Sequence, residues 1–276
     1  MRSETFQTPR PLVLDVKLPR GDVQIETADT QETTVTLDGS GAGAESQIER
    51  TTVELLDRGD HDELVVDADV EDFAIRGRRI SLSLSFDRHQ AIQIRITAPH
   101  GTTVKAQTAS ADVRATGRYG AVETRTASGD VAFGEVERDA SVKVASGDVR
   151  IERVGGSLKA QTAAGDVRIG PVGANLDVKT ASGDLQVEDV AGSVSVQSAS
   201  GDVRIGSVVK GKVELKSASG DMLVGVRRGS RVWMDIKTIT GDATSELDAG
   251  GEDDDDAPLV ELKATAMSGD IRIVRA

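Results

Sequence analysis

The sequence repeats itself every eighteen residues, and this limits its folds more than any other feature. Gly-Asp pairs place Asp130, Asp148, Asp166, Asp184 and Asp202 each eighteen after the last, and Asp112 keeps the phase with Ala111 in place of glycine. Asp221, Asp242 and Asp270 continue at steps of 19, 21 and 28. Asp22, in Gly21-Asp22-Val23-Gln24-Ile25, reads as an isolated early copy. So short a unit cannot bury its own apolar face and must stack on neighbouring copies.

The columns of the repeat say how the stacking works. Two and four residues after the glycine come Val149/Ile151, Val167/Ile169 and Val203/Ile205. Seven and five residues before it come Leu158/Ala160, Leu176/Val178, Val194/Val196 and Val213/Leu215. Both sets alternate with polar residues, the pattern of a half-buried strand. The parity switches at the Gly-Asp and again near Val154, Val172, Val190 and Val208. Each unit is therefore two short strands joined by two corners. The reading is all-β: a parallel β-solenoid of about eight such coils over residues 101–276. An antiparallel sandwich or meander is the alternative, because Ser-Gly-Asp also suits a hairpin turn.

Residues 1–100 read as a different region, an N-terminal antiparallel β cap over the solenoid's open edge. Leu12, Leu14, Val16 and Leu18 alternate, as do Ile80, Leu82, Leu84 and Phe86, and Ile92, Ile94 and Ile96. A turn at Asp57–Asp62 separates Thr51–Leu56 from Glu63–Asp67. With four Phe, one Trp and one Tyr, the interior must be filled by Val, Ile, Leu, Ala and Thr, which suits a thin stack. The acidic run Glu252–Asp256 reads as a loop inserted between the last two units.

The repeated Thr-Ala-Ser-Gly-Asp-Val, at Thr126–Val131 and nearly at Thr180–Leu185, resembles a bacterial β-strand-repeat family of unknown function labelled "putative adhesin". Phe6-Gln7-Thr8-Pro9, followed by the Leu12 strand and Gly21-Asp22-Val23, is similar to its actinobacterial members. The resemblance covers almost the whole chain. It implies a solenoid-like β fold and supplies no catalytic residues. Bactofilins, bacterial cytoskeletal β-helices, are a looser architectural analogue.

The aspartate column is the sharpest chemical feature. Carboxylates stacked ~4.8 Å apart repel by roughly 1 kcal/mol per neighbour even in water, so something must offset them. Calcium β-rolls do this with metal, but their nine-residue glycine-rich pattern supplies several ligands per ion. Here one glycine precedes each aspartate and no second acidic column lies beside it. The aspartates Asp130, Asp148, Asp166, Asp184, Asp202 and Asp221 are therefore read as turn residues accepting backbone N–H bonds. Arg150, Arg168 and Arg204 lie two residues after their aspartates, with Arg114 and Arg272 in the same place, and would neutralise the column. No essential metal and no cofactor is expected.

A second column, Lys143, Gln161, Lys179, Gln197, Lys216 and Lys237, is either a solvated face or a candidate interaction face. Trp233 stands alone among the repeats and suits either a contact patch or the covered end of the core. His61, His89 and His100 have no metal-ligand spacing, and no P-loop, G-x-S-x-G or dinucleotide fingerprint is present. A periodic row of serines is not a nucleophile, which needs one base beside one hydroxyl. The net charge of −13 argues against nucleic acid and anionic membranes. No segment reaches the ~20 apolar residues of a membrane helix, no signal-peptide core is evident, and cysteine is absent. These features predict a cytoplasmic, non-catalytic scaffold that meets a protein partner or itself. The alternative is an adhesin-like surface module, delivered by a non-classical route, that binds a cell-wall or host polymer.

Overall fold

A computed structural model describes residues 1–39, 43–68, 91–247 and 257–276. They divide into two compact units, Met1–Asp130 and Val131–Ala276. The alternating segment Ile80–Phe86, His89 and the acidic run Glu252–Asp256 lie outside the described residues.

In the first unit the strands are β1 (Arg2–Gln7), β2 (Leu12–Ala28), β3 (Glu32–Gly39), β4 (Thr52–Asp57), β5 (Asp62–Asp67), β6 (Ile92–Pro99) and β7 (Thr102–Ser128), with one helix, α1 (Ala44–Arg50). Antiparallel pairing joins β1 to β3, β3 to β6 and β4 to β5. β2 instead runs parallel to β5, β6 and β7. It bends at Gly21, and its two arms pair with both arms of β7, so that Asp22 faces Asp112 and Gly21 faces Ala111. The early Gly-Asp copy thus begins a coil in phase with the later repeats. Leu14, Val16 and Leu18 are fully buried, as the alternation requires. The short α1 turns Ala44 and Ile48, four apart on one face, into the core. Arg2 Nη1 donates to the carbonyls of Ile48 and Thr51 at its C-terminal end, at 3.2 and 2.7 Å.

The second unit is a parallel solenoid. Its strands are β8 (Val131–Val136), β9 (Ala140–Ser146), β10 (Val149–Val154), β11 (Leu158–Ala164), β12 (Val167–Ile169), β13 (Leu176–Ser182), β14 (Leu185–Val190) and β15 (Val194–Ser200). They continue as β16 (Val203–Val208), β17 (Gly211–Ser219), β18 (Met222–Val226), β19 (Arg231–Thr240), β20 (Ala243–Ser245), β21 (Leu259–Ser268) and β22 (Ile271–Arg275). One ladder stacks β9, β11, β13, β15 and β17, and the other stacks β8, β10, β12, β14, β16 and β18, every pair parallel. Register follows the eighteen-residue columns: Val149, Val167, Leu185 and Val203 share one rung line, and Leu158, Leu176, Val194 and Val213 another. All are buried, at 2% exposure or less. Val154, Val172 and Val190, also buried, bridge one another at the corner.

Chain order breaks at the C-terminal end. β17 pairs with β21, not β19, and β18 pairs with β22. β19 and β20 then lie outside them, on β21 and β22. The last coil in sequence is therefore inserted beneath the one before it, so Asp270 stacks on Asp221 and Asp242 on Asp270.

Candidate functional site

The Ser-Gly-Asp corner can be built from its backbone. Along the second unit the corner glycines have φ between +114° and +136°, a region that costs an L side chain strain. A Cβ on Gly165 would also meet the Gly147 carbonyl oxygen at 2.2 Å, so glycine is required on both counts. The tight turn frees the next residue's N–H, and the aspartate of the preceding coil takes it. Asp148 Oδ1 accepts from the Asp166 N–H at 2.9 Å, Asp166 from Asp184 at 3.0 Å, Asp184 from Asp202 at 2.9 Å and Asp202 from Asp221 at 3.0 Å. In the first unit Asp112 accepts likewise from Asp130 at 2.9 Å.

Arginines occupy the second carboxylate oxygen at several rungs: Arg168 on Asp166 at 3.0 Å, Arg204 on Asp202 at 3.4 Å and Arg114 on Asp112 at 2.8 Å, with Arg114 also reaching Asp22 Oδ1 at 3.3 Å. Arg272 departs from the expected pattern. It turns away to Glu246, which the inserted coil order brings beside it. Beside Arg150, Arg168, Glu152 and Glu188 the surface holds a shallow open groove of about 330 Å³, lined by both signs of charge.

Two further columns complete the corners, and the sequence reading missed both. The Thr or Ser three residues before the corner glycine points inward, and at several coils its hydroxyl donates to the carbonyl two residues on. The distances are 3.3 Å for Thr162, 3.4 Å for Thr180 and 3.0 Å for Ser217. Thr126 does the same in the first unit at 3.1 Å. A small hydroxyl residue can therefore sit in an apolar column. At the opposite corner Asp139 Oδ1 accepts the Ser157 N–H at 2.7 Å and Asn175 Oδ1 accepts that of Ser193 at 3.0 Å.

The outward face of the β9–β17 ladder carries the lysine column. Lys143, Gln161, Lys179, Gln197 and Lys216 occupy successive rungs. Alternation with Gln spaces the like charges two rungs apart, roughly 9–10 Å, about one Debye length at physiological salt. Lys216 and Lys237 are not neighbours: Thr265 lies between them, a consequence of the reordered last coils, so not every coil carries Lys or Gln. Glu214 lies between Lys212 and Lys216 at 3.1 and 2.7 Å, and hydrogen bonds from both ammonium groups hold its carboxyl down at about 2. Trp233 is on the outermost strand, 58% exposed.

His61 Nδ1 lies 2.7 Å from Asp60 and His100 Nδ1 3.1 Å from Thr27 Oγ1. Among the described residues no three His, Asp or Glu side chains are grouped to hold a metal ion, and no helix is long and apolar enough to cross a membrane. The arrangement offers repeated hydrogen-bonding and charged rows rather than one convergent cluster.

Residues 11–273 match the sequence model of the Toastrack family, DUF4097. The chain belongs to this family. Solved structures similar to this Toastrack chain include a putative adhesin from Bacteroides fragilis, 12% identical, covering 100% of this chain and 96% of that one, with a TM-score of 0.43. Another is a putative cell adhesion protein from Clostridium sporogenes, 11% identical, covering 100% and 99%, with a TM-score of 0.24. A third is a putative lipid binding protein from Parabacteroides distasonis, 10% identical, covering 100% and 96%, with a TM-score of 0.26. No curated protein matches the chain.

Proposed function

We propose that this Toastrack chain is a non-catalytic scaffold whose repeated polar β face docks a protein partner or a second copy. The observation that carries this is register: Lys143, Lys179 and Lys216 stand on one rung line, two coils apart, with Gln161 and Gln197 between them. Such a row holds matched donors at a fixed spacing and suits an acidic or carbonyl-rich surface of similar length. Catalysis would instead need one nucleophile or base set apart from its neighbours.

Capture from native lysate tests the reading. Wild-type chain and a Lys143→Glu/Lys179→Glu/Lys216→Glu variant, both shown by circular dichroism to be folded, serve as baits. A partner held by the first and lost by the second is the expected result. Equal capture by both would sink the lysine face as the docking surface. Fractionation and co-sedimentation with isolated cell wall address the alternative. Native protein found with the envelope, and purified chain pelleting with the polymer, would replace the scaffold with a surface module.

A further inference from the structure

The outermost coil is left unfinished. Among the described residues β19 is paired only with β21, and β20 only with β22. Val260, Leu262 and Ala264 on β21 are completely buried, whereas their rung partners Val232, Met234 and Ile236 on β19 are not, and Met234 is 37% exposed. On the outward face of the same strand Trp233 is 58% and Ile239 80% exposed. The Arg231 N–H bonds the Pro258 carbonyl at 2.9 Å, toward β21. Strand alternation then turns the N–H and C=O groups of Val232, Met234, Ile236 and Thr238 to the open edge. An edge of this kind, with apolar side chains on both faces, is a template for an added strand.

The sequence of β19 specifies which strand. A two-fold axis perpendicular to the sheet sets two copies of β19 antiparallel, and residues directly opposite then point to the same face. Centred on Ile236, this register places Asp235 opposite the second copy's Lys237, and Lys237 opposite its Asp235. It also places Trp233 opposite Ile239 in both directions. On the inner face Ile236 meets itself and Met234 meets Thr238, all residues whose backbone groups are turned outward, while Val232 falls opposite Thr240, where the edge ends because the Thr240 carbonyl accepts the Gly269 N–H instead. The neighbouring registers that keep facing intact, centred on Asp235 or Lys237, oppose like charges instead. Within one copy Lys237 already lies 3.1 Å from Asp235, so the pairing closes a four-charge ring.

We propose that the open β19 edge is a homodimer interface, two copies joining by antiparallel β19 strands in register about Ile236. This deepens the scaffold reading and rests on it only for the idea that the chain assembles.

Trp233 is the one tryptophan of the chain, so its emission reports the edge directly. With purified full-length chain, a blue shift of that emission should rise with concentration and track a monomer–dimer equilibrium in analytical ultracentrifugation. Asp235→Lys turns both cross-copy pairs into like-charge pairs and should weaken the dimer by about ten-fold or more. Lys237→Asp should do the same, and Asp235→Lys/Lys237→Asp together should restore it. These positions are surface charges, so circular dichroism should stay unchanged. A chain that remains monomeric with an unshifted emission overturns the interface, and a dimer indifferent to the single reversals overturns the register. Either failure is read on purified chain without any partner, so it is distinct from loss of capture by the lysine face.

Discussion

The corner aspartates that face an arginine have two jobs that a substitution can separate. Asp166 Oδ1 accepts the Asp184 N–H and Oδ2 meets Arg168. Both Arg168 and the carboxylate are well exposed, and an exposed pair of this kind contributes little. Asp166→Asn keeps the acceptor oxygen and should cost under about 0.5 kcal/mol by chemical denaturation, whereas Asp166→Ala removes the cap and should cost about 1 kcal/mol. Equal costs would place the stabilisation in the arginine pair. Asp15 behaves differently. One of its oxygens is buried without a hydrogen-bond partner, and burial raises its pKa against the pull of Lys17 and Lys105. A raised carboxyl favours the protonated fold, so its contribution is complete below the ordinary carboxylate range and is lost as pH rises through the raised value. Asp15→Asn should therefore raise the melting temperature near neutral pH, and the gain should shrink to nothing near about pH 3. A gain that is independent of pH would exclude the carboxylate as its source.

Within an element the burial alternates so strictly that facing can be tested by a pair of substitutions. Ile169 on β12 sits between Ile151 and Val187 and is 3% exposed, while Lys179 on β13 points outward. Ile169→Asp should cost about 3 kcal/mol or more, since a thin apolar stack offers the charge no partner, and Lys179→Ala under about 0.5 kcal/mol. Similar costs in a urea titration would mean that the faces are misassigned. These facings, and the two corners per unit, are legible in the sequence because Val, Ile and Leu return to the same columns every eighteen residues. The order of the last coils is not legible. A column alignment shows that Asp242 and Asp270 occupy equivalent places but not which coil each lies upon, and the step of 28 reads equally well as an insertion in an ordered stack. The Asp139 and Asn175 caps escape for another reason. Their column holds Asp139, Ser157, Asn175 and Ser193, and side-chain oxygens of Asp139, Asn175 and Ser193 accept an N–H from the next coil, so the cap is not tied to a single residue type. α1 is too short to show a helical period, and only the Ala44 and Ile48 spacing hints at it.

At the scale of the whole molecule, a chain of net charge −13 with a column of carboxylates poses the question of cations most directly. Repulsion along the column is opposed by a backbone N–H on Oδ1 at Asp112, Asp148, Asp166, Asp184, Asp202, Asp221 and Asp270, and at Asp112, Asp166 and Asp202 by a guanidinium on the other oxygen. Calcium takes six to eight oxygens, and an oxygen already accepting an N–H in a rigid ladder is a poor recruit to such a shell. An ion that binds only the folded chain raises its melting temperature by mass action, so indifference is a measurable outcome. Melting in chelator and in millimolar calcium should coincide within error, and added salt should change it only modestly, because the exposed pairs are already largely screened. A calcium-dependent rise of many degrees that Asp166→Asn abolishes would instead make the column a metal site, with the backbone ladder secondary to it.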